Sequence, residues 1–250
     1  MSFARFFAPA AGVPGDRILL PVDEAEHLTR VLRLSSGHRV RVFNGRGAEF
    51  EAVVDAADRE GVRLTIGAPC VPAPEPRVAI TLAQSVLKGD KMDDVVRDAV
   101  MMGVAAIHPI VTARSEISLA SLTRGRRRER WERIAVSSAK QCGRAVVPAI
   151  LEPQSFEATV ASLSALTLPE PCLMFVEPGA AGAVTAIGEL DPAPPRQATI
   201  LAGPEGGWTP DEIERGAAVS RQVMLGGRTL RADAMATVAL TALFTLWRDL

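Results

Sequence analysis

The sequence predicts an α/β protein with a parallel sheet, preceded by a small β-barrel domain. Short alternating strands with one helix among them fill the first 70 residues, which is typical of a small barrel. From residue 78 onward, short continuous apolar runs alternate with segments of helical spacing, which is typical of a parallel sheet covered by helices. Prolines 69, 72, 74 and 76 mark a stiff connector between the two patterns. We therefore predict a domain at 1–70, a proline-rich linker at 71–77 and a second domain at 78–250.

Two elements of the first domain have local signals. Two alternating runs flank Asn44-Gly45, a pair that tolerates positive φ, so the sequence predicts a hairpin there. A short helix precedes it, with Asp23 as the expected cap and Glu26 at the third helical position. Its apolar residues are expected on one side: Leu28, Val31 and Leu32.

Five apolar runs predict the strands of the second domain. They span 78–83, 106–111, 172–177, 198–203 and 222–226. In sheets of this kind, ligands bind beyond the carboxyl ends of the strands.

The composition indicates a globular protein, since 48% of residues are hydrophobic and 23% are charged. No apolar stretch reaches the ~18 residues that a membrane span needs, and no secretory signal is evident, so we expect a cytoplasmic protein without membrane association. Cys70, Cys142 and Cys172 are far apart without a nearby histidine, so no metal site is expected. The formal net charge is −1, so any nucleic acid must be bound by local patches.

The segment 200–214, ILAGPEGGWTPDEIE, is a candidate binding turn. An apolar strand runs into Gly203–Gly207, and Thr209-Pro210 begins a helix, so the turn lies at the carboxyl end of a strand. Glycine lets the backbone approach a ligand closely, but Glu205 would repel a phosphate. The turn therefore suits a ligand such as a nucleoside that bears positive charge, although a purely structural turn remains the alternative.

The segment 225–240, LGGRTLRADAMATVAL, repeats this arrangement. An apolar strand end is followed by two glycines and then by polar residues that lead into a long apolar helix. Two such turns at neighbouring strand ends are expected to form opposite walls of one pocket.

Seven segments in this order resemble the ribosomal small subunit methyltransferase E family, the uridine-N3 methyltransferases of 16S rRNA within the knotted SPOUT superfamily. They are RFF (5–7), EHLTRVLR (26–33), FNGRG (43–47), KGDKMDDVVRDAVMMGV (88–104), RWERIAVSSAKQCGRAVVP (130–148), LAGPEGGW (201–208) and LGGRTLRADA (225–234). The resemblance implies a PUA-like RNA-binding barrel, then an α/β domain tied in a trefoil knot. It also implies an obligate homodimer that binds S-adenosyl-L-methionine and acts on 16S rRNA of the small ribosomal subunit.

The resemblance also implies the site residues. For the cofactor they are Phe175, Val176, Glu177, Leu201, Ala202, Gly203, Pro204, Glu205, Gly206, Gly207, Leu225, Gly226 and Leu230. We assign Arg231 and Arg228 to stabilising charge on the uracil oxygens, and Asp233 to orienting an arginine or accepting the N3 proton. Expected RNA contacts are Arg5, Arg30, Arg33, Lys88, Lys91, Arg124, Arg126, Arg127 and Arg128. For the arginine-rich segment that contains the last four, a solvated helix with internal ion pairs is the alternative.

Four positions depart from the family pattern. Gly227 stands where proline is usual, Ala234 where threonine is usual, and Met101 and Lys140 where glutamate is usual. Two alternatives stay open: another SPOUT methyltransferase acting on tRNA or a ribose 2'-hydroxyl, and an RNA-binding assembly factor with weak or no catalysis. The residues at Met101, Lys140 and Ala234 keep the second alternative open. His27 and His108 lie in apolar contexts and are interpreted as structural.

Overall fold

The structure is a computed structural model that describes residues 3–165, 170–180 and 182–250. The chain forms two compact units. The first comprises Met1–Glu75 and Val136–Val147, and the second comprises Pro76–Ala135 and Pro148–Leu250. The sequence places one boundary in the proline-rich segment, but it does not predict that residues 136–147 belong to the first unit.

The first unit is built on a five-stranded sheet. Its elements are β1 (Arg5–Phe7), β2 (Arg17–Leu19), α1 (Val22–Glu26), a π-helical turn (His27–Val31), β3 (Arg39–Phe43), β4 (Glu49–Asp58) and β5 (Gly61–Cys70). The strand order is β1-β3-β4-β5-β2, with β1 parallel to β3 and the other pairs antiparallel. Phe6, Val42 and Leu64 are fully buried in the core of this unit.

The predicted hairpin joins β3 to β4, but its turn is longer than two residues. Phe43 pairs with Glu49, and Gly45 takes a φ of 77° while Asn44 does not take a positive φ. Asn44 acts through its side chain instead, because its Oδ1 accepts hydrogen bonds from the backbone N–H groups of Arg46 at 2.8 Å and Ala48 at 3.2 Å. Asparagine thus closes this turn as an Asx motif.

The predicted helix exists, but its cap and its buried side differ from expectation. The helix begins at Val22, so Asp23 lies inside it, and no side chain caps it. Leu28 is fully buried, whereas Val31 is 64% exposed and Leu32 is 40% exposed. The reason is the π-helical turn, which has more residues per turn than an α-helix and so rotates the following side chains away from the core.

The second unit contains a parallel sheet with helices. Its strands are β6 (Ala79–Ser85), β7 (Ala106–Val111), β8 (Ala149–Ile150), β9 (Gln154–Ser155), β10 (Cys172–Phe175), β11 (Val184–Ala186), β12 (Gln197–Ala202) and β13 (Arg221–Met224). Its helices are α2 (Lys91–Met102), α3 (Leu119–Arg124), the part of α4 (Arg127–Cys142) before residue 136, α5 (Phe156–Ser164), α6 (Pro210–Ala217) and α7 (Ala232–Leu246). The strand order is β11-β13-β10-β12-β6-β7-β8, and β9 also pairs with β7. All five apolar runs predicted as strands form strands, which confirms the α/β class.

The helix that follows the glycine turn begins as predicted. Thr209 caps α6 by accepting a hydrogen bond from the backbone N–H of Glu212 at 3.2 Å, and Glu212 completes the capping box. Pro210 occupies the first helical position. This start directs the chain from the carboxyl end of β12 into α6 at a defined point. Within the described ranges, no helix is both long enough and apolar enough to cross a membrane.

Candidate functional site

A cleft of about 190 Å³ opens at the carboxyl ends of neighbouring strands in the second unit. Because β13, β10 and β12 are adjacent and parallel, the segments that follow them emerge at the same edge of the sheet. The cleft is lined by Lys91, Phe175, Val176, Glu177, Gly203, Pro204, Glu205, Gly207, Trp208, Thr229, Leu230, Arg231, Ala232, Asp233 and Met235. The two glycine-bearing segments therefore do face one pocket.

Eight residues predicted to contact a cofactor lie in this lining: Phe175, Val176, Glu177, Gly203, Pro204, Glu205, Gly207 and Leu230. Leu201 and Ala202 do not, because they lie in β12 with their side chains fully buried in the sheet. Gly206, Leu225 and Gly226 belong to the same segments but lie outside the lining.

Glu205 is already paired in the structure. Its carboxylate accepts a hydrogen bond from Lys91 Nζ at 2.8 Å and one from the backbone N–H of Lys88 at 3.2 Å. Partial burial raises the pKa of Glu205, but the bonds from Lys91 and from backbone amides outweigh that effect, so the pKa lies below its ordinary value. Glu205 is therefore an ionised group whose charge is shared with Lys91. This weakens the expectation that Glu205 itself faces a cation.

Glu177 is the lining carboxylate that is free of ion pairs. No salt bridge of Glu177 within 4.0 Å is found among residues 3–165, 170–180 and 182–250. The lining carries two cationic side chains, Lys91 and Arg231, and three carboxylates, Glu177, Glu205 and Asp233, which gives a formal charge of −1. Such a cleft favours a cationic ligand over an anionic one.

Close packing explains two of the glycines. Gly207 has a φ of 66°, and a Cβ there would lie 3.1 Å from Glu177 Oε1. A Cβ on Gly203 would lie 3.0 Å from the indole of Trp208. That indole donates a hydrogen bond from Nε1 to the carbonyl of Phe175 at 2.9 Å. Trp208 thus joins the end of β10 to the segment after β12, and the sequence did not single it out.

The residues predicted to be catalytic are only partly gathered at the cleft. Arg231 and Asp233 both line it, and Arg231 Nε donates to Asp233 Oδ1 at 3.2 Å. The Arg231 side chain is 77% exposed, which leaves its guanidinium accessible. Arg228 is exposed and lies outside the lining.

Two arginines predicted to contact RNA have structural roles instead. The Arg5 side chain is only 14% exposed, donates to both oxygens of Glu49, and donates to four carbonyls at 139, 140, 143 and 144. Arg128 donates to the carbonyl of Ile150 at 3.1 Å and pairs with Glu132 and Glu152. Because these donors are engaged by groups of the protein itself, we do not assign either arginine to a phosphate contact.

The other predicted RNA contacts fall into two groups, those with an ion pair in the protein and those without one to a described residue. Lys91 lines the cleft and pairs with Glu205, Lys88 Nζ lies 3.0 Å from Glu116 Oε1, and Arg30 lies 3.2 Å from Glu26. The remaining four are exposed and have no ion pair within 4.0 Å to any residue that the structure describes: Arg33, Arg124, Arg126 and Arg127. Arg124 ends α3, Arg127 begins α4, and Arg126 lies in the bend between them.

The loop after β7 contacts the glycine turn and was not predicted as part of the site. Arg114 Nη1 donates to the carbonyls of Gly206 at 2.5 Å and Trp208 at 3.3 Å. Next to it, the backbone N–H of Ala113 donates to Glu212 Oε1 at 2.8 Å. The only sequence signal was position, since this loop follows a predicted parallel strand at its carboxyl end.

The structure accounts for one departure from the family pattern and places the two histidines. Lys140 Nζ lies 2.8 Å from Glu24 Oε2 and 4.9 Å from the ring centroid of Phe6, so it has a local partner in the first unit. The rings of His27 and Phe6 meet edge to face at 6.1 Å. Burial lowers the pKa of His108, and its buried Nε2 has no hydrogen-bond partner within the described ranges. Nothing in the structure explains Gly227.

Comparison with known proteins identifies the family. The family described as "RNA methyltransferase domain" matches residues 74–244, and the one described as "RNA methyltransferase PUA domain" matches residues 20–67. The ribosomal RNA small subunit methyltransferase E of Synechocystis is 31% identical over 232 residues, which cover 92% of this chain and 73% of that protein. The chain belongs to the ribosomal RNA small subunit methyltransferase E family.

Two solved structures of similar proteins agree with the fold. The methyltransferase E of Neisseria gonorrhoeae, bound to S-adenosyl methionine, is 28% identical with a TM-score of 0.86, and the match covers 98% of each chain. A methyltransferase of Legionella pneumophila in complex with the same cofactor is 25% identical with a TM-score of 0.87, again over 98% of each chain. The expected RNA methyltransferase class and the expected PUA-type unit are thus confirmed.

Proposed function

We propose that this methyltransferase E family member transfers a methyl group from S-adenosyl-L-methionine to N3 of a specific uridine in 16S rRNA of the small ribosomal subunit. The observation that carries the proposal is the negatively charged cleft at the carboxyl ends of β10, β12 and β13. The substrate follows from family membership together with the named relatives. We also propose a cytoplasmic location, which a ribosomal substrate supports.

The lining fits a methyl donor with a sulfonium and an adenosine. The half-buried Leu230 and Met235 offer apolar surface for a base, and glycine backbone leaves room for close approach. The formal charge of −1 suits a cationic donor and disfavours a phosphate-rich cofactor. The carboxylate of Glu177, which has no ion pair to any described residue, is available to ribose hydroxyls or an ammonium group. When bound, the cofactor supplies an activated methyl group.

Arg231 and Asp233 are the residues that we assign to the uracil. Methylation at N3 requires the loss of the N3 proton, and a nearby guanidinium stabilises the resulting negative charge on the uracil oxygens. Asp233 orients Arg231 through the 3.2 Å hydrogen bond or accepts the proton. Both lie at the start of α7, beside the cofactor loops, where alignment of donor and base contributes much of the rate.

We assign RNA docking to Arg124, Arg126 and Arg127, with Arg33 as a contact on the first unit. All four are exposed and lack ion pairs with described residues, so each can neutralise a phosphate without breaking an internal bond. The reactive base normally pairs through its N3 edge and must be unpaired to react.

We propose that the protein is a homodimer that uses the exposed face of α7. This helix has one charged residue, Asp233, yet it exposes Ala234, Val238, Thr241 and Thr245 at helical spacing. Val238 is 40% exposed, and Met101 on the neighbouring α2 is 39% exposed. An uncharged exposed face is typical of a protein interface. A Val238→Arg variant that elutes at the mass of a monomer, where the parent protein elutes as a dimer, would support this assignment, whereas an unchanged mass would contradict it.

We also propose the trefoil knot. Its support is the order in which strands enter the sheet, because β12 lies between β6 and β10, and β13 lies between β10 and β11. Thus β12 and β13, which come last in the chain, each lie between two strands that come earlier in the chain.

The decisive experiment maps the methyl group. Purified protein is incubated with labelled S-adenosylmethionine and small ribosomal subunits that lack the modification, and the RNA is digested and analysed by mass spectrometry. Label on uridine N3 of 16S rRNA supports the proposal. Label on tRNA or on a ribose hydroxyl would assign a different methyltransferase, and RNA binding without transfer would indicate an assembly factor.

A further inference from the structure

The segment Gly203–Trp208 needs anchors from outside itself. Three of its six residues are glycines, which lose more conformational freedom on ordering than any other residue. Its only internal backbone bond among those described runs from the N–H of Gly207 to the carbonyl of Pro204 at 3.0 Å. Its position at the cleft is therefore set by neighbouring elements.

We propose that Arg114 is a positioning residue that holds this segment in the conformation that binds the cofactor. The proposal rests on the cofactor assignment made above. The guanidinium reaches two carbonyls of the segment, those of Gly206 and Trp208, at 2.5 and 3.3 Å. By binding the carbonyls of the residues before and after Gly207, Arg114 holds the backbone on both sides of this cleft residue.

The position of the Arg114 side chain also explains why residue 206 is a glycine. Gly206 does not take a positive φ, so its backbone conformation does not require glycine. A Cβ there would lie 3.2 Å from Arg114 Cδ and 3.3 Å from Arg114 Cβ. The space that a side chain would need is therefore filled by the stem of Arg114, and the absence of a side chain allows the guanidinium to reach past Gly206.

Arg114 is itself held on a fixed backbone. Ala113 before it donates its N–H to the buried carboxylate of Glu212. Ser115 after it accepts a hydrogen bond from the N–H of Thr112 at 3.1 Å, and its hydroxyl lies 3.1 Å from that of Ser85. The arginine therefore connects the cofactor segment to β6 and β7 in the sheet rather than to a free loop.

The test compares Arg114→Met, which keeps the stem but removes the donors, with Arg215→Met as the matched control. Arg215 is an exposed arginine of α6 that pairs with Asp211 and lies outside the cleft. We expect the Kd for S-adenosylhomocysteine, measured by calorimetry, to rise at least about tenfold in Arg114→Met, since a charged donor to two carbonyls is lost. Turnover at saturating cofactor should change less than KM for the cofactor. The Arg215→Met control should match the parent protein in Kd, turnover and KM.

Hydrogen exchange provides a readout that does not depend on cofactor binding. In Arg114→Met, the amides of residues 203–209 should exchange faster than in the parent or in the control, and Gly206→Ala should show the same change. If exchange in this segment and the Kd are both unchanged, Arg114 does not position the segment. If neither the parent protein nor its variants bind S-adenosylhomocysteine, the proposed function fails. The exchange data alone then decide whether Arg114 holds the segment, and unchanged exchange would overturn the proposal.

Discussion

Replacing Glu212 by glutamine should destabilise the second unit through a single hydrogen-bond mismatch. Glu212 is 3% exposed, and its carboxylate accepts three hydrogen bonds: from Ala113 N–H at 2.8 Å, from Thr209 N–H at 2.8 Å and from the Thr209 hydroxyl at 3.0 Å. Glutamine keeps the shape but offers one acceptor oxygen. Whichever way the amide turns, a backbone N–H faces an NH₂ group. An unsatisfied buried donor costs ~1–3 kcal/mol, so we expect a loss of about 2 kcal/mol.

Intrinsic fluorescence measures this loss selectively. The chain has three tryptophans and no tyrosine, and Trp131, Trp208 and Trp247 all belong to the second unit. With a urea dependence of about 2 kcal/mol per molar, the unfolding midpoint should fall by roughly 1 M. Glu214→Gln, an exposed glutamate of the same helix, should stay within about 0.5 kcal/mol of the parent. Equal midpoints for the two variants would refute the reasoning.

Three further predictions concern RNA docking, pH and catalysis. When Arg126→Gln is combined with Arg127→Gln, the negative slope of log K against log salt for RNA binding should become shallower by about 1.4 to 1.8. Each lost phosphate contact removes ~0.7–0.9 from the magnitude of this slope. An unchanged slope would exclude both arginines as phosphate contacts. His108 has a folded pKa below its ordinary value of 6.5, so the unfolded chain binds more protons, and stability should fall as the pH drops below about 6.5. Urea unfolding at pH 7.5 and 5.5 should show this fall in the parent and a smaller one in His108→Leu, and an equal fall in both would contradict it. Arg231→Ala should abolish methyl transfer while calorimetry finds nearly unchanged cofactor affinity, and near-normal turnover would remove Arg231 from the mechanism.

The five main strands and one helix start of the second unit could be predicted because their signals are local. Each buried parallel strand is a continuous apolar run, and Thr209, Pro210 and Glu212 mark one helix start by residue type alone. The strand order could not be predicted, since nothing in Gln197–Ala202 reveals that it lies between β6 and β10. Once β12, β10 and β13 are known to be adjacent and parallel, however, the two glycine segments must lie at the same edge of the sheet, because each follows the carboxyl end of its strand.

The roles of individual charges were the least predictable, because they depend on partners distant in sequence. Arg5 looks like an exposed basic residue near the amino terminus, yet its partners lie at Glu49 and at the carbonyls of residues 139–144. Glu205 looks like a free carboxylate in a glycine turn, yet Lys91 neutralises it from 114 residues away. A charge can be assigned to ligand binding only after its internal partners are known, as the contrast between Glu205 and Glu177 shows.

The glycine turn owes its residues to three different neighbours. Gly203 makes room for the indole of Trp208, Gly206 makes room for the stem of Arg114, and Gly207 combines a positive φ with the approach of Glu177. In each case another side chain fills the space that a side chain at the glycine would need, so the turn is packed although it is rich in glycine. A flexible turn would have to be ordered by the ligand at the expense of affinity. A turn packed in this way is ordered before binding, so the cleft can hold a small cationic ligand without a phosphate to anchor it.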